Sequence, residues 1–583
     1  MFGNLTYLKK YFVRYKSSYL LGILFILISN VATVFVPILI KDSINLLENN
    51  LDTHLIVNYA LYTVGITLIA GVFQFFIRET IIVASRKIEY DLRQDFWEHI
   101  QKLPLRFFQN NSTGNIMSHA TNDINAVRSF VGPAVMYSID NGTLFLMIIP
   151  IMLSLSPALT FYVLLPLPFL SYLVYIVMRK VHVKYTKIQE KFSELTEKAQ
   201  ENFSGIRVVK SYVREDYEVM EFTKQSDEYL KRKMDLVRLQ ALFHPIFFVI
   251  AGFSTIIVIF VGGKMVIDGE ISLGIIVAFV AYLSMLIWPM ISFGFVANLV
   301  QQADSSMKRL LKFFNEPYEI KDGDETDYSI ENIEGQIEFK NVSFRYNDFL
   351  PPVLVNVSLK INKGETVAFI GKTGSGKTTL VNLIPRFYDV TEGSVTIDGV
   401  DVRKIPLKTL RKNIGFVPQE TFLFSDTLAK NIVYGNGKED EELIKYVAQI
   451  SQLAKDVESF PKGYDTILGE RGITLSGGQK QRTSLARALA IDPKILILDD
   501  SFSAVDTHTE EEILKRLKEF MKNRTSIIIS HRISTVKDSD KIFVIDNGRI
   551  AEEGTHEELV ELGGIYADLH FKQLLEEELK ELN

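Results

Sequence analysis

Three short stretches in the carboxy-terminal half of this 583-residue chain carry residues that can do chemistry on phosphates. The first, GKTGSGKTT, sets Gly371, Lys372, Thr373, Gly374, Ser375, Gly376, Lys377, Thr378 and Thr379 between an apolar TVAFI and a helical LVNLI. Glycines at that spacing let backbone N–H groups close around phosphates, the lysine reaches the terminal phosphates, and the threonine hydroxyl can ligate magnesium. The second, ILILDD, ends an apolar run on Asp499 and Asp500. An acid closing such a strand, downstream of a phosphate loop in the same domain, holds magnesium directly or through water. The third, LSGGQKQR, puts Ser476, Gly477, Gly478 and Gln479 at the start of a helix. Exposed N–H groups and the helix dipole make that start an anion site. A chain that already has one phosphate cradle thus offers a second, which suggests that it serves the γ-phosphate of a nucleotide held by another chain.

Positioning these residues takes an α/β domain. From QIEFKNVSFRY onward, short β-branched strands alternate with helical patterns, and the phosphate loop sits between strand and helix as its chemistry requires. This domain is expected over 335–583, behind a charged linker over 311–334 that contains EPYEIKDGDETDY.

Residues 1–310 read as a different material. The run YLLGILFILISNVATVFVPILI (Tyr19–Ile40) is long enough to cross about 30 Å of hydrocarbon as a helix and too long for a signal-peptide core. Further spans are expected near Ile56–Ala84, Val131–Leu155, Ala158–Met178, Ala241–Val266 and Ile271–Val300, six in all, so both ends lie on one side. Lys9, Lys10, Arg14 and Lys16 precede the first span, and the long segments 86–130 and 179–240 are rich in Lys and Arg, which puts termini and long loops in the cytoplasm. Those loops carry apolar residues at helical spacing, with tips at 112–124 and 205–217 that read as docking surfaces. Gln74, Arg78, Glu79, Asp140, Asn141 and Asn298 fall within the spans; each either lines a substrate path or bonds between helices.

Bulk composition excludes several functions. The formal net charge of −6 suggests no polyanionic partner, so nucleic-acid binding is not expected. With no cysteine there is no disulfide, thiolate zinc site or cysteine nucleophile.

Taken in order along the chain, these motifs resemble the ATP-binding cassette (ABC) exporters, and the resemblance covers essentially the whole sequence. Tyr346 matches the aromatic that stacks on adenine, Gln419 in GFVPQETFLFSDT the Q-loop glutamine, and Gly469 to Gly472 (GERG) the loop that exporters add before their signature. Ser476, Gly477, Gly478 and Gln479 match the signature, Asp506 closes the D-loop, and His531 in IIISHR matches the switch histidine. The resemblance implies a half-transporter: an all-α six-helix transmembrane domain with long cytoplasmic extensions, fused to an α/β P-loop domain with a helical signature subdomain. It implies ATP and Mg²⁺ as cofactors, with Thr378, Gln419 and Asp499 as metal ligands. It further implies a second half-transporter chain as partner in the bilayer, a hydrophobic or amphipathic substrate, and loop tips that couple nucleotide closure to the membrane helices. Exporter order disfavours an importer, and no peptidase is expected ahead of the first span.

One position departs from the family. The residue after the magnesium acid is normally glutamate, which positions or deprotonates the attacking water; here it is Asp500. Its carboxylate falls short by roughly one C–C bond, so this chain's own site is expected to bind ATP and cleave it slowly, while the intact signature completes a faster site on an unlike partner. With Asp500, His531 and Gln419 as the catalytic set, a homodimer or lipid flippase with two slow sites stays open, as does a regulatory ATP-binding scaffold or a gating cassette protein.

Overall fold

The computed structural model describes residues 3–49, 53–241, 243–347 and 349–581. Leu242, inside the fifth expected span, and residues 50–52, in the first outer loop, lie outside the described residues. The chain divides into two compact units, one of residues up to Gln101 with Gly114–Asn315, the other of Lys102–Thr113 with Glu316 onward.

Every described element of the first unit is a helix. Its longest elements are Lys16–Asn49, Pro166–Ser204 and Leu273–Phe314, and Thr53–Ile77 continues through a π-turn at Arg78–Ile82 into Val83–Gln101. Among the described residues, four helical stretches are long and apolar enough to cross a membrane: Lys16–Glu48, His54–Gln101, Thr113–Leu155 and Leu273–Phe314. The shorter apolar run Gly252–Ile267 falls on the fifth expected span, and Pro166–Ser204 begins within the fourth. Because lipid offers no hydrogen bonds, polar groups between such helices pair with one another. Tyr282 Oη donates to Val34 O at 2.9 Å, and Asn30 Nδ2 donates to Thr143 Oγ1 at 2.6 Å and to Asp140 O at 3.1 Å. Asn141 is buried and donates to Ser292 Oγ at 2.5 Å, so it bonds between helices. Gln74, Arg78, Glu79 and Asn298 stay exposed on the single chain.

The second unit is built on two sheets. Its strands are β1 (Ile337–Phe344), β2 (Leu354–Ile361), β3 (Thr366–Ile370), β4 (Glu392–Ile397), β5 (Val400–Asp401), β6 (Ile414–Val417), β7 (Ile495–Asp499), β8 (Thr525–Ile529), β9 (Lys541–Asp546) and β10 (Arg549–Gly554). The order β2-β1-β4-β5 forms an antiparallel sheet, and β10-β9-β3-β8-β7-β6 a sheet whose strands are parallel except for β10. Every residue of β7 and β8 is buried, which is why these strands read as unbroken apolar runs rather than alternating ones. Helices Glu441–Ile450 and Gly477–Leu489 pack with the apolar side chains of Ile444, Val447, Leu485 and Leu489 in one core beside this sheet.

The short helix Leu105–Asn110 also belongs to this second unit. There Arg106 pairs with Glu319. The docking segment therefore lies upstream of the tip expected at 112–124. From Gly114 on, that tip joins the helical unit, where Asp123 takes Arg309 and His119 as partners. Physically, Pro104 starts a new helix, and the apolar Phe107 buries itself there.

Candidate functional site

The parallel strands deliver the chemistry at their carboxyl ends, where open α/β sheets place ligands. β3 leads into Gly371, β6 into Gln419, β7 ends on Asp499 with Asp500 following, and β8 leads through Ser530 to His531. One cavity of about 280 Å³ collects Tyr346, Thr373, Gly374, Gly376, Lys377, Thr378, Thr379, Gln419, Asp499, Asp500 and His531, with Val353 and Ile529 completing its wall.

The loop before this cavity exists because of its glycines. Gly371, Gly374 and Gly376 all have positive φ, at 151°, 82° and 106°, a region that side chains rarely tolerate. A Cβ on Gly371 would lie 2.2 Å from Ile545 O, so the loop could not pass β9 with any other residue there. Lys377, buried at the start of the following helix, donates from Nζ to Gly371 O and Lys372 O, both at 2.8 Å, with Ser375 Oγ at 3.5 Å. Gly371, Lys372 and Ser375 thus form the back of the loop, and the others face the cavity. Tyr346 and Thr379 share a hydroxyl–hydroxyl hydrogen bond of 2.9 Å, and Tyr346 is braced edge-on by Phe344 and Tyr388 at 5.0 and 5.4 Å.

Electrostatics concentrate around the paired acids. Thr378 Oγ1 donates to Asp499 Oδ1 at 3.2 Å. Burial pushes the Asp499 carboxyl up to about 6; Thr378 opposes the rise, Asp500 adds to it, and Lys377 opposes it. Burial depresses the Lys377 ammonium against the pull of both aspartates. His531 is likewise held below its ordinary value by burial and by Lys377. Burial thus disfavours the charged form of all three groups, and such perturbed titratable groups cluster at functional sites. Asp500 itself sits on left-handed backbone, φ 45°, with its N–H on Ile529 O at 3.0 Å and its carbonyl accepting Ser503 Oγ at 3.1 Å. Short polar residues enter that region more readily than long ones.

Ser476, Gly477, Gly478, Gln479 and Asp506 do not line this cavity. Ser476 caps helix Gly477–Leu489 in a reciprocal capping box with Gln479, whose Nε2 reaches Asp456 Oδ1 at 3.0 Å. The exposed Ser476 and Gly477 leave that helix start open to a ligand from outside the chain. Asp506 caps helix Thr507–Met521 by accepting Thr509 N–H at 2.9 Å. Residue spacing did not reveal Gln481, which is buried and ties the signature helix to the D-loop. Its Nε2 donates to Ser503 Oγ and its Oε1 accepts Ala504 N–H, each at 2.9 Å.

Comparison with known proteins fits this geometry. Residues 19–290 match the family model described as ABC transporter transmembrane region, and residues 354–503 the model described as ABC transporter. The chain is 36% identical over 97% of its length to YknU of Bacillus subtilis (strain 168), named an ABC transporter ATP-binding protein, covering 96% of that protein. It is 35% identical over 99% of its length to YheI of the same organism, covering 98% of it; that protein is named "Probable multidrug resistance ABC transporter ATP-binding/permease protein". Among solved structures, a bacterial Atm1-family ABC exporter with ATP bound superposes with a TM-score of 0.78 at 26% identity, over 96% of this chain and 98% of that one.

Proposed function

The chain belongs to the ABC transporters, with a transmembrane region and an ATP-binding domain in one polypeptide, and from that premise we propose that it is one half of a dimeric exporter with unequal ATP sites. Its activity is ATP hydrolysis coupled to transport across a membrane that it crosses several times, with the nucleotide-binding domain in the cytoplasm. The cargo proposed is a hydrophobic or amphipathic compound, a drug or a lipid, taken from the cytoplasm or inner leaflet.

At this chain's own site, Tyr346 stacks on adenine and the amides of the loop from Gly371 to Thr379 hold the phosphates. Lys377 exchanges the carbonyls of Gly371 and Lys372 for the terminal phosphates, which relieves its costly burial. Thr378 Oγ1 and Asp499 Oδ1, 3.2 Å apart, with Gln419 on the same cavity, are hard oxygen donors that fit Mg²⁺. The described residues hold no group of three or more acidic, His or Cys ligands, so the remaining ligands come from phosphates and water. Held by Thr378, Asp499 and Gln419, Mg²⁺ would neutralise charge on the β- and γ-phosphates. Asp500, His531 and Gln419 are the catalytic set, while Ser476, Gly477, Gly478 and Gln479 complete the partner's site and Asp506 closes the D-loop between them. The tip at 205–217, where Tyr212 and Val213 are 75% and 83% exposed, is the surface offered to the second chain.

The observation that carries the inequality is Asp500: it lines the cavity, yet it is one methylene shorter than the glutamate of the family pattern. An unlike partner with glutamate there supplies the fast site. His531 and Gln419 line the same cavity, which favours a second reading, a homodimer or lipid flippase with two slow sites; a mainly regulatory ATP-holding subunit is a third. Inside-out vesicles lacking this chain should fail to accumulate an amphipathic dye on ATP addition, and vesicles that accumulate it equally well without the chain refute the export reading.

A further inference from the structure

The turn that carries His531 leaves β8 at Ile529 and enters the short helix Ile533–Val536. Side chains from two other helices hold it. Glu510, buried in helix Thr507–Met521, accepts Thr535 Oγ1 at 2.5 Å and pairs with Arg532. Gln573, on the carboxy-terminal helix Ile565–Glu581, donates from Nε2 to His531 O at 2.5 Å and accepts Ile533 N–H at Oε1 at 2.8 Å. That helix is anchored at its own start, where Tyr566 is fully buried and Glu552 accepts the N–H groups of Ile565 and Tyr566 at 2.5 and 3.0 Å. Gln573, two turns further on, is therefore presented from a fixed support.

We propose that Gln573 is a positioning residue for ATP hydrolysis: by gripping the backbone on both sides of Arg532 it fixes where the His531 imidazole stands over the cavity. The inference rests on the reading of His531 as part of the hydrolytic set. Only a primary amide supplies a donor and an acceptor from one end, as these two bonds of opposite sense require. Glutamate keeps the acceptor and sets a negative charge against the His531 carbonyl; leucine keeps neither bond. Gln573 does not line the cavity, and its two bonds are to the backbone of the turn. It is half-exposed, so its replacement leaves packing nearly intact.

The test uses the assembled transporter in lipid nanodiscs, with Gln573→Leu, Gln573→Glu, His531→Ala and the double variant Gln573→Leu/His531→Ala. Hydrolysis at this chain's own site is followed as the rate at which photoreactive ATP held at its phosphate loop turns to ADP, at several ATP concentrations, beside backbone hydrogen exchange over residues 528–537. Both Gln573 variants should slow that conversion roughly three- to tenfold, as loss of a positioning pair of hydrogen bonds does, with the ATP concentration that half-fills the site within about twofold. Exchange should quicken in the 528–537 segment and nowhere else in the domain, and the double variant should be no slower than His531→Ala. Unchanged exchange there, unchanged conversion to ADP at a site that His531→Ala impairs, or a full further loss in the double variant would overturn the proposal. If His531→Ala leaves conversion to ADP at this chain's own site intact, the reading of His531 fails and the positioning proposal falls with it; faster exchange then shows Gln573 to be structural only.

Discussion

Replacing Asp500 by glutamate adds one methylene to a carboxylate whose backbone is already fixed by hydrogen bonds to Ile529 and Ser503. The added reach is about 1.5 Å, one C–C bond. Because a misplacement of about 1 Å at a reacting group costs about a hundredfold in rate, hydrolysis at this chain's own site should rise by up to that factor. The size of the gain in the whole transporter then reports its composition. If an unlike partner already supplies a fast site, a second active site raises total turnover by no more than about twofold; if two copies of this chain pair, both sites gain and turnover rises toward about a hundredfold. The change has a cost in stability, because the backbone at φ 45° suits aspartate better than glutamate. A penalty of about 0.5–1 kcal/mol corresponds to a thermal midpoint lower by about 1–4 °C in a domain of this size. Phosphate release from purified transporter, beside thermal unfolding of the same samples, reads both numbers. Unchanged turnover in Asp500→Glu, with ATP still bound at this site, refutes the claim that side-chain length limits the reaction.

Gly478→Ala places a Cβ 2.9 Å from Ala504 O, so the signature helix and the D-loop must separate; turnover should fall about tenfold or more while photolabelling of this chain's own phosphate loop by an ATP analogue is retained, and full turnover would show that their close approach is dispensable. Glu510→Ala leaves the Thr535 hydroxyl without its acceptor and Arg532 without its carboxylate. Arg532 is half-exposed and stays solvated, so the loss should be about 1–3 kcal/mol rather than the larger cost of stranding a buried charge, seen as a lower thermal midpoint; an unmoved midpoint would contradict it.

Much of this site is legible in the sequence because its residues are tied to strand ends. Once TVAFI, IGFV, ILILD and TSIII are recognised as buried parallel strands, the residues that follow each must meet along one edge of the sheet. Gly371, Gln419, Asp499, Asp500 and His531 do so. The supports are not legible in that way. Gln481, Glu510 and Gln573 act on partners 22, 25 and 42 residues distant, across elements whose packing no local pattern encodes. The docking segment escaped for a related reason: polar and apolar residues are mixed on both sides of Ser112, and only the tertiary break after Thr113 separates the piece that packs with the sheets from the piece that packs with the helices. Nor does side-chain identity alone reveal that Asp500 stands on left-handed backbone, which gives a short acid a conformational reason beside its chemical consequence.

The central claim is that ATP held at Lys377 and Thr378 is cleaved slowly. Its most direct test labels the nucleotide bound at this chain's phosphate loop with a photoreactive ATP and follows the ratio of ADP to ATP on this chain while the assembled transporter turns over. The account predicts that the labelled nucleotide stays mainly ATP through many turnovers of the whole, or through the slow turnover of a homodimer at the same low rate. Conversion to ADP at the rate of fast overall turnover, unchanged in Asp500→Asn, would contradict it.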